Sequence, residues 1–325
     1  MSNAIRFSRT GGPEVLEWTE VSTPEPGKGE IRVRNHAIGL NYIEIYFREG
    51  VYPVPSLPSG LGTEAAGVVD AVGPGVSEFR KGDRVAYAQA PLGAYAELHV
   101  LPAEKAIHLP EDVDFETAAA TMLKGLTVQY LLRQTYPVMS GQTILFHAAA
   151  GGVGLIACQW AKALGVKLIG TVSTPEKARL AMNNGAWATI NYREENIVER
   201  VRELTDGEMV PVVYDSVGKD TWETSLDCLQ KRGMMVSFGN TTGPVTDVNI
   251  GILNQKGSLF VTRPSLAGYA DTRGRFEAMC GELFEMLSSG AIKADINQRY
   301  PLKDVAKAHE ALAGGKTTGS TVLLP

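Results

Sequence analysis

From Thr143 onward the sequence alternates short apolar strands with helical segments, and this alternation constrains the fold more than any other feature. The first strand, 143–146, is followed by a glycine-rich turn and a helix over 153–164 that ends at Gly165. Further strands are predicted at 166–172, 212–215 and 234–238. Strands that alternate with helices of about 10–15 residues are typical of parallel βαβ units. The sequence therefore predicts an α/β fold with a doubly wound parallel sheet.

The turn after the first of these strands has the small residues that dinucleotide binding requires. Its pattern is A-x-x-G-x-x-G, with Ala148, Gly151 and Gly154 at the defined positions. Small residues let the backbone approach a pyrophosphate, and the following helix N-terminus offers N–H donors. Gly154 permits close packing of helix on strand. The alternative is a tight turn in an ordinary α/β sheet, but the strand–turn–helix setting favours a Rossmann domain.

The end of the second strand indicates which dinucleotide binds. NAD sites usually place Asp or Glu there, whereas this chain has Ser173 and, one helical turn later, Lys177. Tyr192, after the third strand, adds a hydroxyl. Hydroxyls and an ammonium group suit a 2′-phosphate, so we predict NADPH as the cofactor. Glu176 is expected to point to solvent. In the alternative interpretation Ser173 only caps a helix and Lys177 is a solvated charge.

The sequence before residue 110 has a different character, with short Val-, Ile- and Tyr-rich runs between turns. A helical stripe over 112–135 follows. From Arg273 the pattern predicts a long helix, a strand, a second helix and a final strand, the last three at 296–300, 305–312 and 321–324. The 325 residues suffice for two domains. We predict a β-rich domain over 1–124, completed by 266–325, and a cofactor domain over 125–265.

Composition and charge exclude several classes of protein. Lys plus Arg total 31 and Asp plus Glu total 36, so a net charge of −5 offers no positive field for nucleic acid. The three cysteines form no CxxC pair, which argues against a structural zinc site and a disulfide scaffold. The sequence shows neither a signal-peptide pattern nor an 18-residue apolar run. We therefore expect a cytoplasmic protein with no membrane or nucleic-acid partner.

Four segments, which together span most of the chain, resemble one known family. They are GGPEVL at 11–16, GLGTEAAG at 60–67, GQTILFHAAAGGVG at 141–154 with Gln159 and Lys162 beyond it, and YDSVG at 214–218. They are similar to segments of the zinc-free quinone oxidoreductases, relatives of ζ-crystallin in the medium-chain dehydrogenase/reductase superfamily. This resemblance implies a GroES-like catalytic domain in addition to the Rossmann domain.

The resemblance also implies a reaction without a metal. Zinc alcohol dehydrogenases of the same superfamily hold their catalytic zinc with a Cys in the segment that here is 39–42, and with the His of a G-H-E motif. This chain has Asn41 in the first segment and Thr63 in place of that His, and neither offers a thiolate or an imidazole. A quinone is electrophilic without a Lewis acid, whereas an alcohol or aldehyde needs polarisation. The expected function is therefore zinc-independent reduction of quinones by NADPH in a cleft between the domains.

Positions that match the family imply a set of site residues. Asn41, Tyr46 and Tyr52 are the catalytic candidates, as hydrogen-bond or proton donors, and Asn41 and Tyr46 also face the nicotinamide. The other implied cofactor residues are Thr127, Ala150, Gly151, Gly152, Val153, Ser173, Lys177, Tyr192, Ser216, Phe238, Gly239 and Lys316. At Lys316 the family favours Arg. Alternatively, Asn41 only satisfies loop amides and the two tyrosines are ordinary packing. His147, a single strand histidine, is expected to be structural.

The sequence is also compatible with two other functions. An enzyme of this fold can also reduce α,β-unsaturated ketones or aldehydes, which accept hydride without zinc. A structural or nucleic-acid-binding role, suggested by the crystallin relative, is the non-enzymatic alternative. The glycine turn, Lys177 and the negative net charge argue against that role.

The family further implies a homodimer. Residues 257–262 are predicted to form an edge strand that can pair with a second copy across a twofold axis. Sedimentation equilibrium is therefore expected to give a mass about twice the 34.9 kDa of one chain. Particles with the mass of a single chain at working concentration would contradict this prediction.

Overall fold

The structure, a computed structural model, describes all residues from 1 to 325. The chain divides into two compact units. The first unit comprises Met1–Leu126, Ala270–Ser288 and Lys293–Pro325. The second unit comprises Thr127–Tyr269 and Ser289–Ile292.

Sixteen strands form the sheets of the two units. In chain order they are β1 (Ser2–Phe7), β2 (Glu17–Val21), β3 (Glu30–Leu40), β4 (Ser59–Gly60), β5 (Ala65–Val72), β6 (Arg84–Tyr87), β7 (Leu98–Pro102), β8 (Ala106–His108), β9 (Thr143–Phe146), β10 (Lys167–Val172), β11 (Ala188–Asn191), β12 (Val210–Asp215), β13 (Leu229–Ser237), β14 (Phe260–Thr262), β15 (Ile296–Pro301) and β16 (Ser320–Leu324).

Ten α-helices accompany the strands. They are α1 (Tyr42–Glu49), α2 (Phe115–Tyr130), α3 (Gly152–Ala163), α4 (Pro175–Asn183), α5 (Ile197–Leu204), α6 (Trp222–Asp227), α7 (Gly251–Gln255), α8 (Leu266–Tyr269), α9 (Arg273–Ser288) and α10 (Val305–Ala313). A π-helical turn, Leu131–Thr135, continues α2. None of the helices combines the length and the apolar character that a membrane crossing needs.

The second unit is built on one sheet whose strands are all parallel. Its six strands lie in the order β11-β10-β9-β12-β13-β14, and each neighbouring pair is parallel. The chain steps outward from β9 to β11 and then restarts with β12 on the other side of β9, so the strand order reverses between β9 and β12. Open parallel sheets bind ligands at the carboxyl ends of the strands beside such a reversal.

The core of the second unit explains the apolar strand runs in the sequence. Leu145 on β9, Ile169 on β10 and Val213 on β12 have no exposed surface and belong to one hydrophobic cluster. Val201 on α5 packs into the same cluster. Strands of a parallel sheet carry apolar residues on both faces because helices cover both.

The first unit is β-rich and mostly antiparallel. Its larger sheet has the order β15-β16-β3-β5-β6-β8, with β7 also pairing β3, and a smaller sheet has the order β2-β1-β4. The last strand, β16, lies between β15 and β3. Phe7, Ile31 and Leu323 are fully buried in the core of this unit. The N-terminal and C-terminal parts of the chain therefore build one hydrophobic core.

The predicted fold class is confirmed, since the structure contains a doubly wound parallel sheet and a separate β-rich unit. Strand β13 begins at Leu229, earlier than the predicted 234, because Leu229 also pairs with Val210. The predicted helical stripe over 112–135 is α2 together with the π-helical turn. These differences concern the ends of elements, where local patterns carry least information.

Gly154 is expected to be essential for the packing of α3 on the sheet. A Cβ at this position would lie 2.5 Å from Ala148 O and 2.6 Å from two backbone atoms of Ala149. Since backbone cannot move aside easily, we expect Gly154→Ala to lower the free energy of unfolding by about 1–3 kcal/mol in urea titrations.

The matched control is Gly281→Ala in α9, where a Cβ meets no atom within 4 Å. Alanine is the better helix former there, so this variant is expected to gain about 0.5–1 kcal/mol. Equal stabilities of the two variants would contradict the close helix–strand contact at Gly154.

Candidate active site

The glycine turn lies between β9 and α3, at the carboxyl edge of the parallel sheet. Ala148 has a φ of 56°, in the left-handed region, which costs a residue with a Cβ about 1–2 kcal/mol. Gly151 is the N-cap of α3 and makes no side-chain cap, so the first N–H groups of the helix are left for a ligand. The turn therefore fits a pyrophosphate.

A chain of buried hydrogen bonds lies beneath this turn. Ala148 N donates to Thr171 Oγ1 over 3.3 Å, and Thr171 Oγ1 lies 3.0 Å from His147 Nδ1. His147 Nε2 lies 3.0 Å from Ser225 Oγ, which donates to Asp215 Oδ2 over 2.6 Å. The four side chains are all buried. These bonds connect the left-handed turn after β9 with the end of β12.

The partners of His147 assign its proton. Ser225 gives its own hydrogen to Asp215, so Nε2 must donate to Ser225, and Nδ1 then accepts from Thr171. Burial lowers the pKa of His147, although the carboxylate of Asp215 opposes this shift. A neutral imidazole satisfies the hydrogen bonds of both neighbours, so His147 has a structural role. Each donor in this series of hydrogen bonds points toward Asp215.

Asp215 also fixes the loop that follows β12. Its Oδ1 accepts from Val217 N over 2.7 Å and from Gly218 N over 3.0 Å. Its Oδ2 accepts from Thr221 Oγ1 over 2.7 Å. These bonds bracket Ser216, the candidate residue directly after β12, and hold its backbone in place.

Ser216 lies against the loop that follows β13. A Cβ on Gly239 would come within 2.4 Å of Ser216 O, so only glycine lets these two strand ends approach so closely. Phe238 packs its ring on Phe146 of β9, with 5.6 Å between the ring centroids. The structure therefore brings Ser216, Phe238 and Gly239 together at the carboxyl edge of the sheet.

The candidate phosphate residues gather at the end of β10. Ser173 follows this strand and is 9% exposed. The residue that caps α4 is Thr174, whose hydroxyl accepts from Lys177 N over 3.3 Å, so the interpretation of Ser173 as the cap is wrong. Tyr192 N donates to Val172 O over 3.1 Å, which places Tyr192 beside Ser173.

The sequence pattern missed one cation at this edge, Arg193. Burial and the guanidinium of Arg193 both lower the pKa of Lys177, so two like charges face each other here. Glu176 points to solvent as expected, with 71% of its side chain exposed and an ion pair to Arg179 at 3.6 Å. A concentration of positive charge beside hydroxyls suits a phosphate. Arg193 directly follows Tyr192, a predicted phosphate residue, and this position in the sequence could have revealed it.

Thr127, at the start of the second unit, belongs to an aromatic cluster. Its side chain is hydrogen-bonded to Tyr130, whose ring stacks on Tyr269 with 4.8 Å between centroids. Thr135 Oγ1 donates to the Tyr269 hydroxyl over 2.8 Å. Burial raises the pKa of Tyr130, so this phenol keeps its proton. The sequence pattern did not reveal this cluster, because its members come together only in the folded unit.

In the first unit, Asn41 stands at the N-terminus of α1. Its backbone N donates to Glu44 Oε2 over 2.8 Å, the arrangement of a capping box. Its side-chain Nδ2 donates to Glu64 Oε2 over 2.7 Å, and the residue is 8% exposed. The alternative that Asn41 only satisfies loop amides is therefore wrong, since its amide group binds a buried carboxylate.

Two fully buried carboxyl groups, those of Glu44 and Glu64, flank Asn41. Thr63 Oγ1 donates to Glu44 Oε1 over 3.1 Å, and Lys124 Nζ lies 3.9 Å from Glu64 Oε2. Burial and the charge of Glu64 raise the pKa of Glu44 to about 8. Burial also raises the pKa of Glu64, against the opposing effect of Lys124. The N-x-x-E spacing signals the capping box, but nothing local signals the second carboxyl group.

Tyr46 and Tyr52 lie in an aromatic cluster on α1 and the loop after it. The ring of Tyr46 is 5.1 Å from that of Tyr52 and 5.3 Å from that of Tyr42 between centroids. Phe47 packs on Tyr52 at 5.8 Å. Tyr46 is 8% exposed. Edge-to-face packing of this kind accounts for the arrangement of the rings. The roles of the Tyr46 and Tyr52 hydroxyls as hydrogen-bond or proton donors stay predictions.

The remaining candidate, Lys316, is exposed in the loop between α10 and β16. Nowhere in residues 1–325 do three or more His, Cys, Asp or Glu side chains form a group that could hold a metal ion. Asn41 and Thr63 bind the two buried carboxyl groups, Asn41 Nδ2 that of Glu64 and Thr63 Oγ1 that of Glu44.

Two family models match the chain. The alcohol dehydrogenase GroES-like domain matches residues 27–111, and the zinc-binding dehydrogenase model matches residues 152–284. A GroES-like unit together with a doubly wound sheet and its glycine turn defines the class of medium-chain dehydrogenases/reductases.

Individual proteins narrow this class. The quinone oxidoreductase of Pseudomonas aeruginosa is 66% identical to this chain, with 100% of both covered. The crystal structure of Escherichia coli quinone oxidoreductase complexed with NADPH has a TM-score of 0.98 and 60% identity, covering 99% of this chain and 100% of that one. A 2-haloacrylate reductase from a Burkholderia species is 45% identical, with 100% of this chain and 99% of the relative covered. The chain belongs to the quinone oxidoreductase family, which confirms the resemblance seen in the sequence.

Asp215 is expected to hold the site of the second unit together. Asp215→Ala leaves the Ser225 hydroxyl and two backbone N–H groups without their acceptor, and leaves Thr221 Oγ1 with only the longer bond to Gly218 O at 3.3 Å. Unsatisfied buried donors are costly, so we expect the free energy of unfolding to fall by about 3 kcal/mol in urea titrations.

The control is Asp227→Ala, which removes a carboxylate of the same unit that is 42% exposed and pairs only on the surface with Lys256. Its expected loss is below about 1 kcal/mol. Similar losses for both variants would show that the buried chain of hydrogen bonds does not depend on Asp215.

Proposed function

We propose that this protein is an NADPH-dependent quinone reductase. The observation that carries the proposal is the full-length similarity, at 60% identity, to an enzyme solved with NADPH. The glycine turn and the positively charged end of β10 support it. We propose 1–124 with 266–325 as the catalytic domain and 125–265 as the NADPH-binding domain.

In this proposal the second unit binds most of the cofactor, which supplies a hydride when bound. The small residues Ala150 and Gly151 would let the backbone approach the pyrophosphate, and the N–H groups of Gly152 and Val153 at the start of α3 would bind it. The adenosine 2′-phosphate would be bound by a hydroxyl-rich, cationic group, namely Ser173, Lys177, Tyr192 and Arg193. Arg193 adds a second positive charge, beside that of Lys177, to the phosphate residues that the sequence predicts.

The nicotinamide and its ribose would contact the strand ends on the other side of the turn. Ser216, Phe238 and Gly239 are close to one another there and would line the ribose side. Thr127 would contact the nicotinamide from the start of the second unit. From the first unit we propose Asn41, Tyr46 and Lys316 as further cofactor contacts.

The first unit would bind the quinone through Asn41, Tyr46 and Tyr52. We propose that the reaction proceeds without zinc, because Asn41 and Thr63 supply neither a thiolate nor an imidazole. A quinone needs no Lewis acid, since hydride addition gives a delocalised phenolate that a few hydrogen-bond donors can stabilise. The Asn41 amide group is held in place by Glu64 and is suited to such a role.

The second candidate function is the reduction of α,β-unsaturated carbonyl compounds. One observation favours it, the 45% identity to a protein named 2-haloacrylate reductase, since a haloacrylate carries an alkene beside a carboxyl group. We propose quinones first, because the relatives at 60–66% identity are all named quinone oxidoreductases.

A cytoplasmic homodimer remains our proposal for the state in the cell, and exposed Phe260 and Val261 on the edge strand β14 are compatible with it.

The test is NADPH or NADH oxidation, followed by absorbance, with a panel of quinones and enones after chelation of metals. We expect turnover with quinones and a preference for NADPH. Lys177→Ala removes a charged donor to the 2′-phosphate, worth about 1.5–3 kcal/mol, and is expected to lower kcat/KM for NADPH about tenfold to a hundredfold. The value for NADH should not change.

Lys307→Ala serves as the control, since this lysine of the first unit is exposed and pairs with Asp304. A preference for NADH, or equal losses for both lysine variants, would contradict the phosphate site. Turnover confined to enones would favour the second candidate function, and no oxidation with any acceptor would contradict both.

A further inference from the structure

The first unit contains a cluster of ionisable groups to which the proposed function assigns no proton transfer. Glu44 on α1 and Glu64, which precedes β5, are both fully buried, and both are hydrogen-bonded to Asn41. Lys124 on α2 is the cation beside them. We call Glu44, Glu64 and Lys124 the carboxylate cluster.

The carboxylate cluster is one positive charge short. Lys124 is 6% exposed, and its Nζ has no hydrogen-bond partner and lies 3.9 Å from Glu64 Oε2. Attraction to Glu64 is therefore what compensates its buried charge. Two buried carboxylates beside one ammonium group cannot both ionise at low cost, so the cluster retains a proton.

The other groups that face the cluster do not supply the missing charge. Arg48, one turn along α1 from Glu44, directs its guanidinium to Gly11 O and to Glu49. His309, which contacts Arg48 and Tyr95, has its pKa lowered by burial to about 3 and is neutral.

The two phenols that face the cluster are neutral as well. Burial and the nearby carboxylates raise the pKa values of Tyr87 and Tyr95. Neither phenol ionises, so neither adds to the negative charge and neither balances it. The proton retained by the cluster must therefore lie on a carboxyl group.

The position of Lys124 decides which carboxyl group holds the proton. Each carboxyl group accepts two hydrogen bonds, Glu64 from Asn41 Nδ2 and Leu123 N, and Glu44 from Asn41 N and the Thr63 hydroxyl. Lys124 forms its ion pair with Glu64 and is the main opponent of the raised pKa of that group, whereas it is the smallest influence on the pKa of Glu44, which the charge of Glu64 raises further. Glu64 is therefore the carboxylate and Glu44 the carboxylic acid.

We propose that Glu44 is the proton source for the reaction and that the Thr63 hydroxyl passes its proton to the reduced quinone. This inference rests on the proposed function. Thr63 is 8% exposed and lies 3.1 Å from Glu44, so it links the buried acid to solvent, and the backbone N of Asn41, which is equally exposed, is bonded to the same acid. A hydroxyl is suited to this task because it can donate one proton while it accepts another.

A hydride brings two electrons and one hydrogen to the quinone, and the product at that point is a phenolate. When Glu44 is in its acid form, its O–H group donates to Thr63 Oγ1 across the same 3.1 Å contact, which frees the Thr63 hydrogen to face the quinone. The Thr63 O–H bond then breaks as its hydrogen bonds to the phenolate oxygen, and Thr63 Oγ1 takes the proton that the O–H bond of Glu44 releases. The neutral hydroquinone leaves, and the Glu44 carboxylate takes a proton from water.

The ionisation of Glu44 gives the sign of the pH dependence. Its pKa is raised to about 8, so the acid form is present below that pH and is lost as the pH rises through it. Turnover that depends on this proton is expected to fall above about pH 8.

The first experiment detects the proton without turnover. Infrared spectra of the cofactor-free protein at pH 7 are expected to show the C=O band of a protonated carboxyl group, which disappears above about pH 8. Glu44→Gln should remove the band. Glu49→Gln, which changes an exposed glutamate on the same helix, should leave it unchanged.

The second experiment tests the transfer. Thr63→Val is expected to lower kcat about a hundredfold with tetramethylbenzoquinone, whose weakly acidic hydroquinone needs the proton, and far less with 2,6-dichlorobenzoquinone. KM for NADPH should be unchanged, and Thr63→Ser should restore the rate. These variants keep the test available if Glu44→Gln does not fold.

Three results would overturn the proposal. The absence of a carboxyl band at pH 7 would show that the cluster holds no proton, even in a protein that reduces quinones. Equal effects of Thr63→Val on both quinones would remove Thr63 from the transfer. A band without any quinone turnover would contradict the proposed function as well as the transfer, and the missing turnover distinguishes this result from the first two.

Discussion

The buried carboxylate of Asp215 is the interaction on which the second unit's site depends. It accepts hydrogen bonds from two backbone N–H groups and two hydroxyls, and one of these continues through His147 to Ala148. In a buried setting such chains of bonds strengthen one another. The strained turn after β9 and the loop after β12 are therefore fixed by the same acceptor before any ligand arrives.

Features set by neighbouring residues were predictable from the sequence. Gly165 has the expected left-handed conformation after α3, with a φ of 70°, and Thr174 caps α4 ahead of Pro175 as its pattern predicts. The glycine turn is equally local, because strand, turn and helix follow one another directly. The spacing of the apolar residues along the strands and helices was enough to predict the fold class.

Features that depend on distant residues were not predictable. Glu44, Glu64 and Lys124 come from α1, the segment before β5, and α2, and only the fold brings them together. A buried carboxyl group has no local pattern, since the same residue type is usually exposed. Arg193 was missed for a related reason: its charge matters only beside Lys177, which belongs to a different βα connection.

The position of β16 has a consequence for how the chain is made. This strand, Ser320–Leu324, lies between β15 and β3, so the sheet that begins with residues near the N-terminus is incomplete until the ribosome has added residues 320–324. The strands of the parallel sheet, β9 to β14, are all translated earlier. The second unit can therefore fold while synthesis continues. Strand β7 already covers residues 30–34 of β3, but residues 38–40 of that edge stay unpaired until β16 is made, exposed to chaperones and to aggregation.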